Sequence, residues 1–322
     1  MKTEIFGTFG PACGTREILK NMIDVGMTGM RLNLSHTTLQ DSEEYINNYL
    51  SVANECGVKP QILIDMKGPE LRIGNLPEDL YLKENEEWKM ISVPQEVLDV
   101  LEEKDQILLN DGKILVEVIS REDDENVTAR VLRGGVLSSG KSIKVIGKQV
   151  SLPPLTDHDI SNIKVATQYG VTALMQPFVL QGEDLRYVRS VLNEYGGDQI
   201  KIYAKIENQM GVENLEDILP EADVIIIARG DLGNDMPLWE LPGTQKRIEE
   251  MCKKHNKPYI VVTQMLASME ENPVPTRAEV SDIYHAVYHG AWGVMLTGET
   301  AVGKYPVESI RYMANTVREA EQ

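Results

Sequence analysis

Polar side chains able to bind or move charge fall in short clusters along this 322-residue chain, each just after a run of apolar residues. Arg31-Leu32-Asn33-Leu34-Ser35-His36 and Asp65-Met66-Lys67-Gly68-Pro69-Glu70-Leu71-Arg72 come first. Lys205-Ile206-Glu207-Asn208, Arg229-Gly230-Asp231, Thr263-Gln264 and Thr297-Gly298-Glu299-Thr300 follow. Glu207 and Asp231 are a carboxylate pair suited to a hard divalent cation. Asn33, Ser35 and Asp65 offer oxygens to a second cation, and Arg31, Lys205 and Arg72 offer positive charge to phosphate. That inventory fits metal-assisted phosphoryl transfer, in which a loosely bonded group is moved by positioning and charge neutralisation. Each cluster alone is weak, since an isolated Lys-x-Glu is usually a solvated strand end.

The elements that must position these groups are short apolar strands alternating with amphipathic stretches of helical length. The strands read Glu4-Ile5-Phe6, Gly29-Met30-Arg31-Leu32, Gln61-Ile62-Leu63-Ile64, Thr172-Ala173-Leu174-Met175, Lys201-Ile202-Tyr203-Ala204, Val224-Ile225-Ile226-Ile227, Tyr259-Ile260-Val261-Val262 and Gly293-Val294-Met295-Leu296. Near-continuous apolar strands between helices call for a parallel sheet covered on both faces, and eight of them suit an α/β (β/α)8 TIM barrel. A doubly wound sheet is the rival, but no GxGxxG loop follows the first strand. Chemistry in a barrel collects at the C-terminal strand ends, which is where every cluster falls.

Between Lys67 and Leu152 helical periodicity gives way to short β-rich runs such as Lys113-Ile114-Leu115-Val116-Glu117-Val118-Ile119, with turn signals at Asn110-Asp111-Gly112 and Arg133-Gly134-Gly135. The predicted organisation is barrel over 1–68, a small β-rich domain inserted after the third strand over 69–151, and barrel again over 152–322. Thr156, followed by Asp157 and Asp159, reads as a helix start.

Composition narrows the function. Lys and Arg number 32 against 50 Asp and Glu, a net charge of −18, which argues against nucleic acid and anionic membrane as partners. No apolar run approaches the length of a membrane span, and Met1-Lys2-Thr3-Glu4 leads into no signal-like segment. Cys13, Cys56 and Cys252 form no metal spacing, so a cytoplasmic, reducing setting is expected. His255, His285 and His289 read as surface or satisfied polar residues, and Tyr45 and Tyr49 as helix packing.

Together the clusters carry a family resemblance. Thr8-Phe9-Gly10-Pro11-Ala12, Arg31 to His36, Asp65-Met66-Lys67-Gly68-Pro69-Glu70, Lys205-Ile206-Glu207-Asn208, Ala228-Arg229-Gly230-Asp231-Leu232-Gly233, Thr263-Gln264-Met265-Leu266, Pro275 to Asp282 and Gly298-Glu299-Thr300 resemble pyruvate kinase, in order along the whole barrel. The inserted domain resembles the family's lid only through Asp111-Gly112 and Gly134-Gly135. The resemblance implies phosphoryl transfer between phosphoenolpyruvate and ADP, with ATP as product. It implies Mg²⁺ (or Mn²⁺) on Glu207 and Asp231, and K⁺ on Asn33, Ser35, Asp65 and the carbonyl of Met66, a site expected to hold no lysine. Lys205 is expected to neutralise enolate and phosphoryl charge, Arg31 to clamp the phosphoryl group, and Thr263 to sit in the proton relay. The backbone at Gly230 and Asp231 is expected to receive the carboxylate. Asn33, His36, Arg72 and Lys141 are the expected nucleotide-side residues, and a homo-oligomer through the barrel is the expected assembly.

Two segments depart from the family pattern. Pro177-Phe178-Val179-Leu180 stands where Ser-Phe-Val-Arg is usual, losing a hydroxyl and a cation. Gly140-Lys141-Ser142-Ile143-Lys144-Val145-Ile146-Gly147 alters the segment that returns from the lid, with Gly140 where a nucleotide-binding lysine is common and Lys141 beside it. The sequence stops at Gln322, just after the eighth helix, so the family's C-terminal domain is expected to be absent. The alternatives are a related enzyme with another acceptor or enolate substrate, and a catalytically weak binding or regulatory paralogue.

Overall fold

The computed structural model describes residues 3–35, 37–110, 112–124, 126–148, 150 and 152–322. The chain divides into two compact units, one of residues 1–68 with 154–322 and the other of residues 69–153.

The first unit holds the strands β1 (Glu4–Thr8), β2 (Gly29–Asn33) and β3 (Ile62–Asp65). Within the second unit run β4 (Leu80–Leu82), β5 (Glu87–Lys89), β6 (Gln106–Leu109), β7 (Ile114–Arg121), β8 (Val127–Arg133), β9 (Gly135–Leu137) and β10 (Ile143–Val145). The first unit resumes with β11 (Ala173–Gln176), β12 (Lys201–Ile206), β13 (Val224–Ala228), β14 (Tyr259–Val262) and β15 (Gly293–Met295). Its strands close into a parallel barrel in the order β1-β15-β14-β13-β12-β11-β3-β2, the α/β barrel expected from the strand–helix cadence. The second unit pairs its strands antiparallel, as a five-stranded sheet β10-β6-β7-β8-β5 and a two-stranded ribbon β4-β9, around its own apolar core of residues such as Val97, Ile107, Val116, Val131 and Leu137.

Alternation along the strands sorts the barrel side chains. Phe6, Leu63, Met175, Tyr203, Ile226 and Ile260 pack together inside the barrel, while Ile5, Ile62, Ile64, Leu174, Ile202 and Ile225 join the separate core shared with the helices. Side chains two positions apart lie on one face of a strand, so Thr8, Asp65 and Lys205 follow Phe6, Leu63 and Tyr203 on the inward row. The charged groups therefore stand on top of a dry apolar plug. The other end of that plug is sealed by Trp292, whose ring lies 6.0 Å from Phe6 and 6.2 Å from Tyr203.

Local signals set the helix starts. Thr156 accepts from the Asp159 N–H while the Asp159 carboxylate accepts from the Thr156 N–H, a reciprocal capping box at the predicted start. The buried Asp159 also accepts from the backbone of Lys67 at 2.8 Å and Gly68 at 3.1 Å, which fixes the turn leaving β3. Tyr49 is buried and Tyr45 stacks on Phe9, so both pack as read from their spacing.

Candidate active site

The C-terminal strand ends bring the inward-row charges into one buried network. Arg31, on β2, donates to Asp65 Oδ2 through Nε at 2.9 Å and Nη2 at 2.6 Å, and through Nη1 to Thr8 Oγ1 at 3.2 Å. Lys205 Nζ, on β12, lies 3.3 Å from Asp65 Oδ1 and 3.3 Å from Glu207 Oε2. Asp65 thus faces two cations and Lys205 two carboxylates, with all four side chains largely out of water.

The network sets the protonation states. Burial raises the Asp65 carboxyl, but Lys205 and Arg31 outweigh it and hold Asp65 below its usual range. Burial lowers the Lys205 ammonium, and Asp65 with Glu207 reverses that, so Lys205 stays charged. Glu207 differs. Burial pushes it up to about 7, aided by the charge of Asp231, and Lys205 and the Phe178 N–H only partly oppose the rise. A carboxyl raised from 4.5 binds its proton more tightly folded than unfolded. Its stabilising contribution is complete below the unfolded value and is lost as pH climbs through about 7. Metal-free protein should therefore lose stability across that window, and Glu207→Gln should flatten the slope. Thermal midpoints from pH 5 to pH 8 in chelator, at about half-unit steps, check this; an unchanged slope in the variant contradicts it.

Glu207 is aimed by backbone. Its Oε1 accepts from the Phe178 N–H at 2.8 Å, while Oε2 is buried without a hydrogen bond. Phe178 holds φ at 54°, the left-handed region that is uncommon for a side chain of this size. The Pro177–Leu180 segment thus grips Glu207 through its backbone. Asp231 sits in the first turn of the helix Arg229–Asp235, exposed, and close enough to act on Glu207 and Lys205 through its charge.

Thr263 and Gln264 leave β14 with φ of 75° and 54°, two successive left-handed residues that cost about 1–3 kcal/mol each unless the surroundings impose them. Arg229 imposes them. Its Nε donates to the Val262 carbonyl at 3.2 Å and its Nη2 to the Thr263 carbonyl at 2.6 Å, while Nη1 meets Asp282 at 2.6 Å. Buried Glu299 fixes the far side, accepting from the Leu266 N–H at 3.0 Å and the Thr297 N–H at 2.7 Å. A Cβ at Gly230 would lie 2.9 Å from Thr263 Cγ2, so a larger residue there would press on the Thr263 side chain. Gly230 and Thr263 are brought together. Arg229, Asp282 and Glu299 lie inside the motifs yet received no role in sequence reasoning; a part-buried Arg that joins acceptors from two separate segments is visible only in three dimensions. Arg229→Lys keeps the charge but not the fork. It should lower turnover at least about tenfold while the thermal midpoint moves by only a few degrees, and wild-type turnover would exclude this positioning role.

The second cation set is more crowded than expected. Asn33 Oδ1 accepts from the Ser35 N–H at 3.1 Å, and Met66 is buried just beyond β3. Asp65, read as a cation ligand remote from lysine, instead pairs with Lys205 and Arg31, because the barrel's curvature carries the end of β12 round to β3. Its Oδ1 nevertheless lacks a hydrogen bond. His36 lies outside the described residues. Arg72 and Lys141 belong to the inserted unit, where Arg72 donates to the Gly140 carbonyl at 2.6 Å and pairs with Glu70 at 2.7 Å. Among the described residues no three His, Cys, Asp or Glu side chains gather to enclose a metal.

An α/β barrel with an inserted β unit, and with a charged network over its apolar plug, is the architecture of a barrel enzyme. Comparison makes the class specific. The model of the pyruvate kinase barrel domain matches residues 1–310. The pyruvate kinase of Chlamydia pneumoniae is 35% identical over 334 residues, covering 100% of this chain and 69% of that protein. Those of Geobacillus stearothermophilus and Sporosarcina psychrophila are 38% and 36% identical, covering 100% and 97% of this chain but 57% and 56% of their own lengths. The chain belongs to the pyruvate kinase family, a family of phosphotransferases. It spans little more than half the length of the latter two relatives.

Proposed function

We propose that the protein transfers a phosphoryl group between phosphoenolpyruvate and ADP, giving pyruvate and ATP, at the mouth of the barrel. The observation that carries this reading is the buried Arg31–Asp65–Lys205–Glu207 network. It fixes two cations where a phosphorylated enol carries its charge and leaves one carboxylate oxygen, Glu207 Oε2, without a hydrogen bond. Arg31 holds the phosphoryl oxygens in line, and its own orientation is set by Asp65 and Thr8. Lys205 balances the charge that develops on the enolate oxygen as the phosphorus–oxygen bond breaks. The backbone N–H groups of Gly230 and Asp231 receive the substrate carboxylate, and Thr263 stands beside the enol carbon to pass on the proton that completes pyruvate.

The donor set fits a divalent cation. A buried carboxylate oxygen that makes no hydrogen bond and is met only by the Lys205 ammonium at 3.3 Å, near an exposed carboxylate, leaves the remaining positions to substrate and water, as Mg²⁺ prefers. Glu207 and Asp231 would hold Mg²⁺ or Mn²⁺, which when bound supplies Lewis-acid stabilisation of phosphoryl and enolate oxygens. Asn33, Ser35, Asp65 and the Met66 carbonyl would hold K⁺; Asp65 Oδ1, which makes no hydrogen bond and only an ion-pair contact with Lys205, supports that reading. We assign nucleotide contacts to Arg72, Lys141 and His36 on the family resemblance alone. The setting we assign is cytoplasmic; among the described residues no helix is long and apolar enough to cross a membrane. Leu238 and Trp239, 70% and 82% exposed, support association of copies through the barrel.

The test follows pyruvate release from phosphoenolpyruvate and ADP, and on the same preparation the metal-dependent exchange of pyruvate methyl protons by NMR in D₂O. Both reactions are expected. Exchange without ADP phosphorylation would assign another acceptor, and absence of both would overturn the enzymatic reading.

A further inference from the structure

The helix Arg277–Tyr288 ends in a pair of imidazoles that the barrel chemistry does not use. His285 and His289 stand one turn apart, both exposed, with ring centroids 6.1 Å apart. The residues that follow lead into β15, so the pair lies where the strands begin, at the opposite end of the barrel from the charged network. Tyr259, the first residue of β14, confirms that placement by donating its hydroxyl to the His289 carbonyl at 2.6 Å.

In both rings Nδ1 faces an oxygen of the protein, by a hydrogen bond in His285 and an ion-pair contact in His289. His285 Nδ1 lies 2.7 Å from the Ser281 carbonyl oxygen. A carbonyl only accepts, so Nδ1 carries the hydrogen and, in the neutral ring, Nε2 keeps the lone pair. His289 Nδ1 lies 3.4 Å from Glu249 Oε2, a carboxylate only 3% exposed; that ion-pair contact turns Nδ1 toward the carboxylate and Nε2 away from it. Glu249 is itself steadied by Gln245, whose Nε2 donates to Oε1 at 2.8 Å. The rings of Tyr284 and Tyr288 stack on each other at 6.1 Å, and each lies beside one histidine, at 5.8 Å and 6.0 Å. An acceptor on Nδ1 with Nε2 left open is how metal-ligating histidines are oriented. A histidine that merely complements the helix dipole needs neither a chosen tautomer nor a buried carboxylate behind it.

We propose that His285 and His289 form a surface site for a transition-metal dication of the zinc, nickel or copper class, bound through both Nε2 atoms. Imidazole favours these ions over Mg²⁺. No third His, Cys, Asp or Glu converges on the pair among the described residues, so water completes the coordination. Two rings sharing one ion through bonds of about 2.1 Å have centres about 5 Å apart. Closing the present separation by roughly 1 Å needs only side-chain torsion of exposed rings. Glu249 is a positioning residue, holding the His289 ring without touching the ion.

Isothermal titration of the untagged full chain with Zn²⁺ or Ni²⁺, in excess Mg²⁺ to fill the barrel mouth, tests the site. One binding event is expected that Mg²⁺ does not displace. His285→Ala and His289→Ala should each weaken it at least tenfold, and Glu249→Gln by about 10-fold or more, with thermal midpoints showing that each variant is folded. Histidine nitrogen NMR of the wild-type chain should show Zn²⁺ moving both Nε2 resonances. Equal affinity in the double histidine variant, displacement by Mg²⁺, absence of binding, or shifts confined to other histidines would each overturn the proposal.

Discussion

Lys205→Met should cut phosphoryl transfer by about 10²–10³-fold and destabilise the protein as well. Lys205 is the only group lying within 3.3 Å of both Asp65 and Glu207 among the described ion pairs, so its removal strands charge in a buried site. Breaking a buried pair on one side costs about 3–5 kcal/mol. The lower end is expected, because Asp65 keeps Arg31 and Glu207, already raised to about 7, can take up a proton. Denaturant melts and steady-state rates on the same variant read both effects. Turnover within tenfold of wild type would remove Lys205 from the chemistry, whatever happened to stability.

Asp231→Ala should separate those two effects. Asp231 is exposed in a first helical turn, so its loss should change folding stability by no more than about 0.5 kcal/mol. Losing one of two carboxylates should nevertheless abolish the response of turnover to added Mg²⁺ and lower the rate by about 10²-fold or more. Rates measured over a Mg²⁺ titration check this. A variant with the wild-type titration curve would show that Glu207 holds the cation with some other partner.

The barrel was legible because a buried parallel strand leaves a strong trace. Val224-Ile225-Ile226-Ile227-Ala228 can hardly be anything else, and the polar residue after each such run marks its C-terminal end. Alternation then places Asp65 and Lys205 on the inward row without any coordinates. What the one-dimensional pattern could not convey was which inward residues meet. Asp65 and Lys205 come from β3 and β12, with β11 between them, and their ion pair depends on barrel radius and side-chain length. The Asp65–Arg31 contact is equally silent, since nothing in Arg-Leu-Asn-Leu-Ser names its acceptor. The left-handed backbone at Phe178, Thr263 and Gln264 leaves no sequence trace either, because these residue types ordinarily avoid it. It is imposed by distant partners such as Arg229, whose role no local window reveals.

The seam of the barrel sets a schedule for its synthesis. β1 pairs with β15 as well as with β2, and the Thr8 N–H donates to Thr300 Oγ1 across 292 positions of chain. A ribosome adding about 5–20 residues per second needs about 15–60 s to cover that interval. Throughout it, the amino-terminal strand has one edge of unpaired peptide groups, since the partner that will cover it has not been made. An open edge is a template for any other extended chain. The vulnerable moment for this protein is therefore its own translation, and a stall before Met295 would release chains whose first strand keeps one edge with no native partner.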